Sequence, residues 1–327
     1  MEISVIIPTF NRSLFLPKCI QSVLLQNYPV KEIIIIDDFS DDNTTLVVEN
    51  LIKENQTQTK IIYLKQTKNQ GVSSARNLGL NAAQYNIVLF LDSDDYWEQD
   101  YTSNVVNIFE KYQDVSIIFT RLNVIDSSNR LSAEQLMVKE KKIRFWRQCC
   151  ESKDELFFAP TQQVKRHVLM QQLTFFLSAL AINKSRMDCP VFFDSNLYFA
   201  EDHEYLVRLL DNAKTVAYTD KPLSNYVIHG SNTVLANADY QKHMRNLHGG
   251  ISSCLKMLAC CDNADEYQFL LEYIINKFRL IGWLKQDQND RHGAYEAFRN
   301  SYLFSRKWKD LLRVWKAKLY LVFFHKH

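Results

Sequence analysis

The part of this sequence most able to do chemistry is an apolar stretch that runs directly into three carboxylates. Residues 88–91, Val-Leu-Phe-Leu, are followed at once by Asp92, Ser93, Asp94 and Asp95. The apolar run predicts a buried strand of a parallel sheet, and ligands of open α/β sheets bind just beyond the carboxyl ends of such strands. Because neighbouring carboxylates repel one another, the cluster predicts a bound cation, and oxygen ligands suit Mg²⁺ or Mn²⁺. We therefore expect a metal-bound nucleoside diphosphate that carries a group to be transferred.

Two earlier strand ends also carry polar side chains. The first predicted strand, 4–7, runs into Pro-Thr-Phe-Asn-Arg at 8–12, and the second, 33–36, runs into an acidic segment at 37–42. The sequence has no G-x-G-x-x-G fingerprint and no P-loop, and it holds only 7 Gly. We therefore expect side chains and a metal, rather than a glycine-rich loop, to hold the nucleotide.

The acidic segment at 37–42 has a second interpretation, because short acidic and hydroxyl side chains also cap helices. We expect Asp41 or Ser40 to cap the following helix and Asp38 to face the ligand.

The acidic cluster after the fourth strand also has a structural alternative. Asp92 and Asp94 taken alone could form a solvated turn.

The elements that must position these residues alternate along the first part of the chain. Strands are predicted at 4–7, 33–36, 61–64, 87–91 and 115–119, and helices at 14–26, 41–54, 72–83 and 101–112. This alternation predicts an α/β fold with a mainly parallel sheet flanked by helices. We expect a catalytic domain over residues 1–235, with an insertion at about 121–170, and a helical region over residues 236–327.

Composition narrows the class of protein. The net charge of +2 over 327 residues gives no general attraction for nucleic acid, so none is expected as a partner. The 7 Cys show neither zinc-type nor disulfide-type spacing, which favours a reducing cytosol. The first residues show no charged leader, and no apolar run is long enough to span a bilayer. We therefore expect a cytoplasmic protein.

Five segments together resemble the successive motifs of family 2 glycosyltransferases with the GT-A fold. They occur in the order of that family: VIIPTFNR, EIIIIDDFSDDNT, NQGVSSARNLGLNAA, VLFLDSDD and FAEDHEYLVRLL. Each motif is weak alone, but five in order are specific, and they cover residues 1 to about 230. The resemblance implies a Rossmann-like GT-A domain that binds a nucleotide sugar.

The resemblance also implies roles for individual residues. Thr9 and Asp38 would lie against the base and ribose, Arg76 near the base or diphosphate, and Asp92 against ribose or sugar hydroxyls. In the DXD motif, Asp94 would hold the metal, Mn²⁺ or Mg²⁺. In the acceptor-side motif, Asp202 would be the general base and Glu201 would orient it or contact the acceptor. His229 would make a further metal or phosphate contact. The family pattern thus places eight residues at the site: Thr9, Asp38, Arg76, Asp92, Asp94, Glu201, Asp202 and His229.

Each of these roles has a structural alternative. Arg76 could lie on a helix surface, and Glu201 and Asp202 could simply favour a helix N-terminus through its dipole. His229 could be a hydrogen-bonded structural residue. Phe39 stands where relatives often have Gly, which predicts a tighter loop beside Asp38.

The implied activity is inverting, metal-dependent transfer of a hexose from a nucleotide sugar, in particular a UDP-sugar, to a glycan or lipid-linked glycan. The product would be a bacterial surface polysaccharide, lipopolysaccharide or lipooligosaccharide. A leaving diphosphate needs charge neutralisation, and a single carboxylate suffices to deprotonate the acceptor hydroxyl. Two alternatives remain: a sugar-phosphate nucleotidyltransferase, which the lack of Gly near Arg12 disfavours, and a catalytically silent nucleotide-sugar-binding protein.

Two basic aromatic segments have no place in these motifs. Residues 301–327 carry seven Lys and Arg against a single acid, Asp310, with aromatic residues between them. This pattern predicts either a helix lying on an anionic membrane, which would make the protein peripheral on the inner face of the cytoplasmic membrane, or a helix packed on the catalytic domain. The second segment either covers the site or forms a surface loop; it comprises Lys139, Lys141, Lys142, Arg144, Phe145, Trp146 and Arg147.

Overall fold

The computed structural model describes residues 1–126, 145–147, 150–173, 175–229 and 240–323. The chain divides into two compact units. The first comprises residues 1–196 and 201–236, and the second comprises residues 197–200 and 237–327.

The first unit contains ten strands and six helices among its described residues. The strands are β1 (Ile3–Thr9), β2 (Glu32–Asp37), β3 (Lys60–Lys65), β4 (Ile87–Phe90), β5 (Tyr96–Trp97), β6 (Val115–Asp126), β7 (Glu151–Lys153), β8 (Leu156–Pro160), β9 (Leu180–Asn183) and β10 (Thr215–Ile228). The helices are α1 (Leu16–Leu24), α2 (Thr44–Glu54), α3 (Val72–Ala82), α4 (Tyr101–Lys111), α5 (Thr161–Leu169) and α6 (Glu201–Asp211).

All ten strands belong to one mixed sheet, in which parallel pairs hold β1 to β4 together and join β6 to β10. Its order is β3-β2-β1-β4-β9-β6-β10-β8-β7, and β5 pairs with β10. The first four strands are parallel, as predicted, but β9 pairs antiparallel with both β4 and β6. The sequence could not predict that β9 would lie antiparallel between β4 and β6, because a strand buried on both faces is uniformly apolar whichever direction it runs.

Apolar strands and close helix packing build the core around β1 and β2. The Ile-rich cores of β1 and β2 are fully buried, and α1 packs its apolar face, including Leu16, Ile20 and Val23, into the same core. A Cβ on Gly79 would collide with the side chain of Ile6, so the glycine lets α3 lie directly against β1. This close packing fixes the position of the polar residues that α3 carries.

The predicted insertion at about 121–170 is partly built into the sheet. Residues 121–126 continue β6, and β7, β8 and α5 follow within 151–169. Phe145 and Trp146 are buried, and the Trp146 ring stacks on Tyr218 at 4.9 Å. These two aromatic residues are core residues, contrary to both interpretations made from the sequence. Lys139, Lys141, Lys142 and Arg144 lie outside the described residues.

The second unit is helical, as predicted. Its helices are α7 (Tyr240–Met257), α8 (Ala264–Asp287), α9 (Arg291–Ser305) and α10 (Trp308–Phe323). Ala294 and Phe298 of α9 form a small core with Ala317 of α10. None of the helices described in either unit is long and apolar enough to cross a membrane.

Candidate active site

Three parallel strands bring the predicted nucleotide-binding residues to one edge of the sheet. β1 lies between β2 and β4, and Thr9 at the end of β1 is in register with Asp37 at the end of β2. The backbone N–H of Asp38 donates to the carbonyl of Thr9 at 2.9 Å. The hydroxyl oxygen of Thr9 is buried and has no hydrogen-bond partner among the described residues. Thr9 and Asp38 therefore lie next to each other at this edge of the sheet.

The two neighbouring aspartates, Asp37 and Asp38, accept hydrogen bonds from different parts of the chain. Asp37 is fully buried and accepts hydrogen bonds from the Tyr63 hydroxyl at 2.5 Å and the Ser40 backbone N–H at 2.8 Å. Asp38 accepts from the backbone N–H groups of Gln70 and Gly71 at 2.7 and 2.8 Å. It also accepts from the side-chain amide of Gln66 at 2.9 Å. Because a carboxylate offers about four acceptor positions, Asp38 fixes the loop before α3 and keeps one position for a ligand.

The turn after β2 differs from the prediction. Helix α2 begins at Thr44, and Asp42, rather than Asp41 or Ser40, accepts the Thr44 N–H at 2.9 Å and the Ser13 N–H at 3.1 Å. Partial burial alone would raise the pKa of Asp42, but these hydrogen bonds lower it to about 2. Asp42 thereby joins the loops that follow β1 and β2.

Phe39, in the same turn, has a φ of +69° and is half-exposed. That backbone conformation favours glycine. The aromatic residue beside Asp38 is therefore held in a strained turn by its neighbours.

The acidic loop after β4 is organised by a serine that no motif contains. Ser178 donates to Asp95 at 2.6 Å and accepts from the backbone N–H of Asp92 at 3.1 Å. Asp95 also accepts the backbone N–H of Val227 at 3.2 Å. Burial and the nearby charge of Asp92 raise the pKa of Asp95 well above its usual range. Asp95 is thus a buried support, and Asp92 and Asp94 are left to face the site.

Asp94 lies between a histidine and an arginine. Its carboxylate is 3.1 Å from Nε2 of His229 and 3.4 Å from Nε of Arg12. The ring of Phe15 stacks on His229 at 4.3 Å. The pairing of Asp94 with His229, which are 135 residues apart in sequence, agrees with the implied metal or phosphate contact and with a structural histidine.

Arg76 joins the acidic loop to the acceptor-side motif. It is almost fully buried, and it donates to Asp92 at 2.9 Å and to Glu201 at 3.1 Å. Its guanidinium also lies over the ring of Phe193 at 5.3 Å. Burial alone would lower the pKa of Arg76, but Asp92 and Glu201 raise it above its ordinary value. Arg76 therefore lies buried between the two acidic segments and not on the surface of its helix.

Asp202 follows Glu201 in the first turn of α6. The backbone N–H of His203 donates to its carboxylate at 2.8 Å. Burial raises the pKa of Asp202 and, together with the charge of Asp202, that of Glu201, although Arg76 opposes both shifts. A carboxylate with a raised pKa is a stronger base than an ordinary one.

The structure places the predicted residues at the ends of β1, β2, β4 and β10, in α3 and at the start of α6, and Arg76 joins Asp92 to Glu201. Arg12 and Ser178 were not among the predicted site residues. The sequence could have pointed to Arg12, because it follows β1 within the first motif. Nothing in the sequence pointed to Ser178, which lies 86 residues from Asp92. Among the described residues, no group of three or more His, Cys, Asp and Glu side chains is placed to hold a metal ion.

Comparison with known protein families supplies the identification. The model of glycosyl transferase family 2 matches residues 4–173, just over half of the chain. The chain belongs to glycosyl transferase family 2. The match covers the loops after β1, β2 and β4, and therefore the first four of the five motifs seen in the sequence.

Several family members and solved structures resemble the chain. It is 44% identical over 95 residues to the GalNAc(5)-diNAcBac-PP-undecaprenol beta-1,3-glucosyltransferase of Campylobacter jejuni, covering 29% of this chain and 30% of that protein. It is 24% identical over 287 residues to the poly(ribitol-phosphate) beta-N-acetylglucosaminyltransferase TarS of Staphylococcus aureus, covering 85% and 44% respectively. The chain thus spans less than half the length of these relatives.

The solved structures confirm the GT-A fold. The structure of S. aureus TarS 1-349 in complex with UDP-GlcNAc matches with a TM-score of 0.66 at 20% identity, over 93% of this chain and 81% of that one. The Pyrobaculum calidifontis mannosyltransferase PcManGT, solved with GDP-Man and Mn²⁺, matches with a TM-score of 0.55 at 15% identity, over 98% and 81%.

Proposed function

We propose that the protein transfers a hexose from a nucleotide sugar, in particular a UDP-sugar, to a glycan acceptor with inversion at the anomeric carbon. The observation that carries this proposal is the Arg76 bridge. It ties Asp92, on the predicted donor side, to Glu201 at 3.1 Å, next to the base candidate Asp202. A single cation thus sets the distance between the group that holds the donor and the group that activates the acceptor.

Unsatisfied buried groups support a polar ligand at this end of the sheet. The Thr9 and Ser73 hydroxyl oxygens and Nε of Arg76 are buried without hydrogen-bond partners among the described residues. Buried polar atoms are nearly always paired in a complete site. A nucleoside diphosphate supplies both donors and acceptors, and TarS has been solved with UDP-GlcNAc. Asp38, with one acceptor position left, is our candidate for the uracil N–H.

A divalent ion, Mn²⁺ or Mg²⁺, fits the donor atoms of Asp94 and His229. The two atoms are 3.1 Å apart, and neighbouring ligands of an octahedral Mg²⁺-sized ion are also separated by about 3 Å. Asp94 and His229 would hold the ion. When bound, the ion would neutralise the charge that develops on the departing diphosphate. PcManGT provides a structural neighbour containing Mn²⁺.

The transfer itself requires one base from this chain. Asp202 accepts the proton of the acceptor hydroxyl, the acceptor oxygen forms a bond to the anomeric carbon, and the bond from that carbon to the diphosphate oxygen breaks. Since the attacking oxygen enters opposite the leaving group, the anomeric configuration inverts. Proton transfer of this kind contributes about 10²–10⁴-fold in rate. Glu201, held by Arg76, orients Asp202 or contacts the acceptor.

The relatives suggest the class of acceptor. One is named for an undecaprenol-linked glycan and the other for poly(ribitol-phosphate). We therefore propose an acceptor in bacterial cell-surface glycan synthesis, such as a lipid-linked glycan or a lipooligosaccharide. Such an acceptor would bring the protein to the inner face of the cytoplasmic membrane.

A thermal-shift screen of UDP, GDP, CDP and dTDP, each with and without Mn²⁺, tests the proposal. A nucleotide at about one hundred times its Kd should raise the free energy of unfolding by about 2.7 kcal/mol. We expect a Mn²⁺-dependent rise with UDP, followed by release of UDP from a UDP-hexose in a coupled assay. A rise with UDP but no turnover of any UDP-sugar, with cell-surface glycan acceptors present, would favour a silent binding protein. No rise with any nucleotide would contradict the proposal.

A further inference from the structure

Helix α10 exposes a continuous apolar stripe. Trp308, Leu312, Trp315 and Leu319 are 65%, 47%, 58% and 50% exposed. Their spacings of four, three and four residues place them on one face of a helix with 3.6 residues per turn. Single exposed apolar residues are ordinary on protein surfaces, but a continuous stripe with two tryptophans indicates an interaction surface.

The opposite face of α10 is the one that packs on the protein. Ala317 lies in the small core with Phe298, and Asp310 is fully buried. Arg279 of α8 donates two hydrogen bonds to Asp310, at 2.8 and 2.6 Å, and Ser305 donates a third at 2.6 Å. This network sets the rotation of α10 about its axis. The stripe therefore faces outward because the other side of the helix is held in place.

Lysines flank the stripe on both sides. At 100° per residue, Lys309 and Lys316 lie about a quarter turn to one side of it, and Lys318 lies about a quarter turn to the other. Lys307 directly precedes the helix. All four are exposed. Lys307 lies 3.3 Å from Glu272. In the described part of the chain, no carboxylate lies within ion-pair distance of Lys309, Lys316 or Lys318. The stripe is therefore bordered by positive charge on both sides.

We propose that α10 lies on an anionic lipid bilayer, with its tryptophan and leucine stripe entering the interface and its lysines contacting the headgroups. Tryptophan and leucine on one face with lysines beside them suit the boundary between acyl chains and headgroups. A second copy of the chain fits less well, because both borders of the stripe are basic. Packing two such stripes together would set the lysines of one copy against those of the other.

Co-sedimentation of the full chain with lipid vesicles tests whether the exposed stripe of α10 binds an anionic bilayer. The vesicles are phosphatidylcholine alone or phosphatidylcholine with about one third phosphatidylglycerol. We expect binding to the anionic vesicles, lowered about 100-fold by Trp308→Ser with Trp315→Ser. The matched control is Leu25→Ser with Leu46→Ser, which removes two apolar side chains of similar exposure, 54% and 55%, from the first unit. The control should bind as the unaltered protein does.

A charge variant separates the lipid headgroup from the apolar contact. Lys309→Glu with Lys316→Glu and Lys318→Glu should lower binding to anionic vesicles by about 100-fold and leave any weak binding to neutral vesicles unchanged. Thermal unfolding of each variant should match that of the unaltered protein, because every substituted side chain is exposed. Failure to sediment with anionic vesicles, or sedimentation equal in all variants, would overturn the proposal. So would a dimer in analytical ultracentrifugation that only the tryptophan variant dissociates, without vesicle binding.

Discussion

Arg76 on α3 donates a 3.1 Å hydrogen bond to Glu201 at the start of α6, although 125 residues separate them. The same guanidinium reaches Asp92, and the charges of Asp92 and Glu201 raise the pKa of Arg76 against the effect of burial. Two acidic groups that the sequence presents as separate motifs therefore share one buried cation. The consequences of removing that cation, and of altering the groups around it, can be measured.

We expect Arg76→Met to destabilise the protein by about 3 kcal/mol at pH 7, because it leaves buried carboxylates without their cation. The raised pKa of both Glu201 and Asp202 means that the folded protein holds their protons to a higher pH than the unfolded chain does. Their contribution to stability is therefore full below about pH 4 and is lost as the pH rises through the raised pKa. Without Arg76, more of this stability is lost as the pH rises.

Urea unfolding of the Arg76→Met variant and the unaltered protein between pH 4 and pH 8 provides the measurement. The difference in the free energy of unfolding should shrink as the pH falls and the carboxyls protonate. Arg299→Met, which breaks an exposed pair with Glu296 at 3.3 Å, is the control and should cost less than about 1 kcal/mol. A pH-independent loss for Arg76→Met would show that packing on Phe193, rather than charge, dominates.

We expect Asp202→Asn to lower kcat by about 10²–10⁴-fold while the Kd for UDP changes less than about two-fold. The amide keeps the shape of the side chain but cannot take the acceptor proton. In the unaltered protein, the acid limb of the pH–rate profile should lie above the ordinary carboxyl pKa of about 4, since burial raises the pKa of Asp202. Steady-state kinetics and calorimetry measure both quantities.

Glu201→Gln is the matched comparison for Asp202→Asn, because it neutralises the adjacent carboxylate. It should keep more activity than Asp202→Asn and shift the acid limb towards lower pH, since the charge next to Asp202 is removed. If Glu201→Gln abolished turnover and Asp202→Asn did not, the two roles would be exchanged.

We expect Asp94→Ala to abolish the Mn²⁺-dependent part of UDP binding, because it removes the carboxylate that lies 3.1 Å from His229. Titration calorimetry with UDP, with and without Mn²⁺, measures that part directly. Asp114→Ala, an exposed acid in the turn after α4, is the control and should bind as the unaltered protein does. If UDP binding by the Asp94→Ala variant depended on Mn²⁺ as strongly as that of the unaltered protein, the assignment of Asp94 as a metal ligand would be wrong.

We expect Phe39→Gly to be more stable than Phe39→Ala by about 1 kcal/mol. Both variants lose the half-exposed ring, but only glycine lacks the Cβ that is crowded at a φ of +69°. Chemical denaturation of the two variants gives the difference. If the alanine variant were equally stable, the turn beside Asp38 would relax without cost.

The chain itself determined the parallel half of the sheet and most of the residues at its edge. Apolar runs such as Ile33 to Ile36 form strands wherever they can be buried, and the polar residues after them must lie at the carboxyl ends. The spacing of Leu16, Ile20 and Val23 likewise determined which face of α1 is buried. These are local properties, so the sequence predicts them.

Long-range packing decided the rest, because it depends on contacts between residues that no local pattern relates. The antiparallel entry of β9, the support of Asp95 by Ser178 and the pairing of Asp94 with His229 all join distant segments. The basic aromatic C-terminal segment allowed two orientations of its helix. Only the buried contact of Asp310 with Arg279 decided that the tryptophan stripe faces outward, since the cost of burying an unpaired carboxylate outweighs that of exposing apolar side chains.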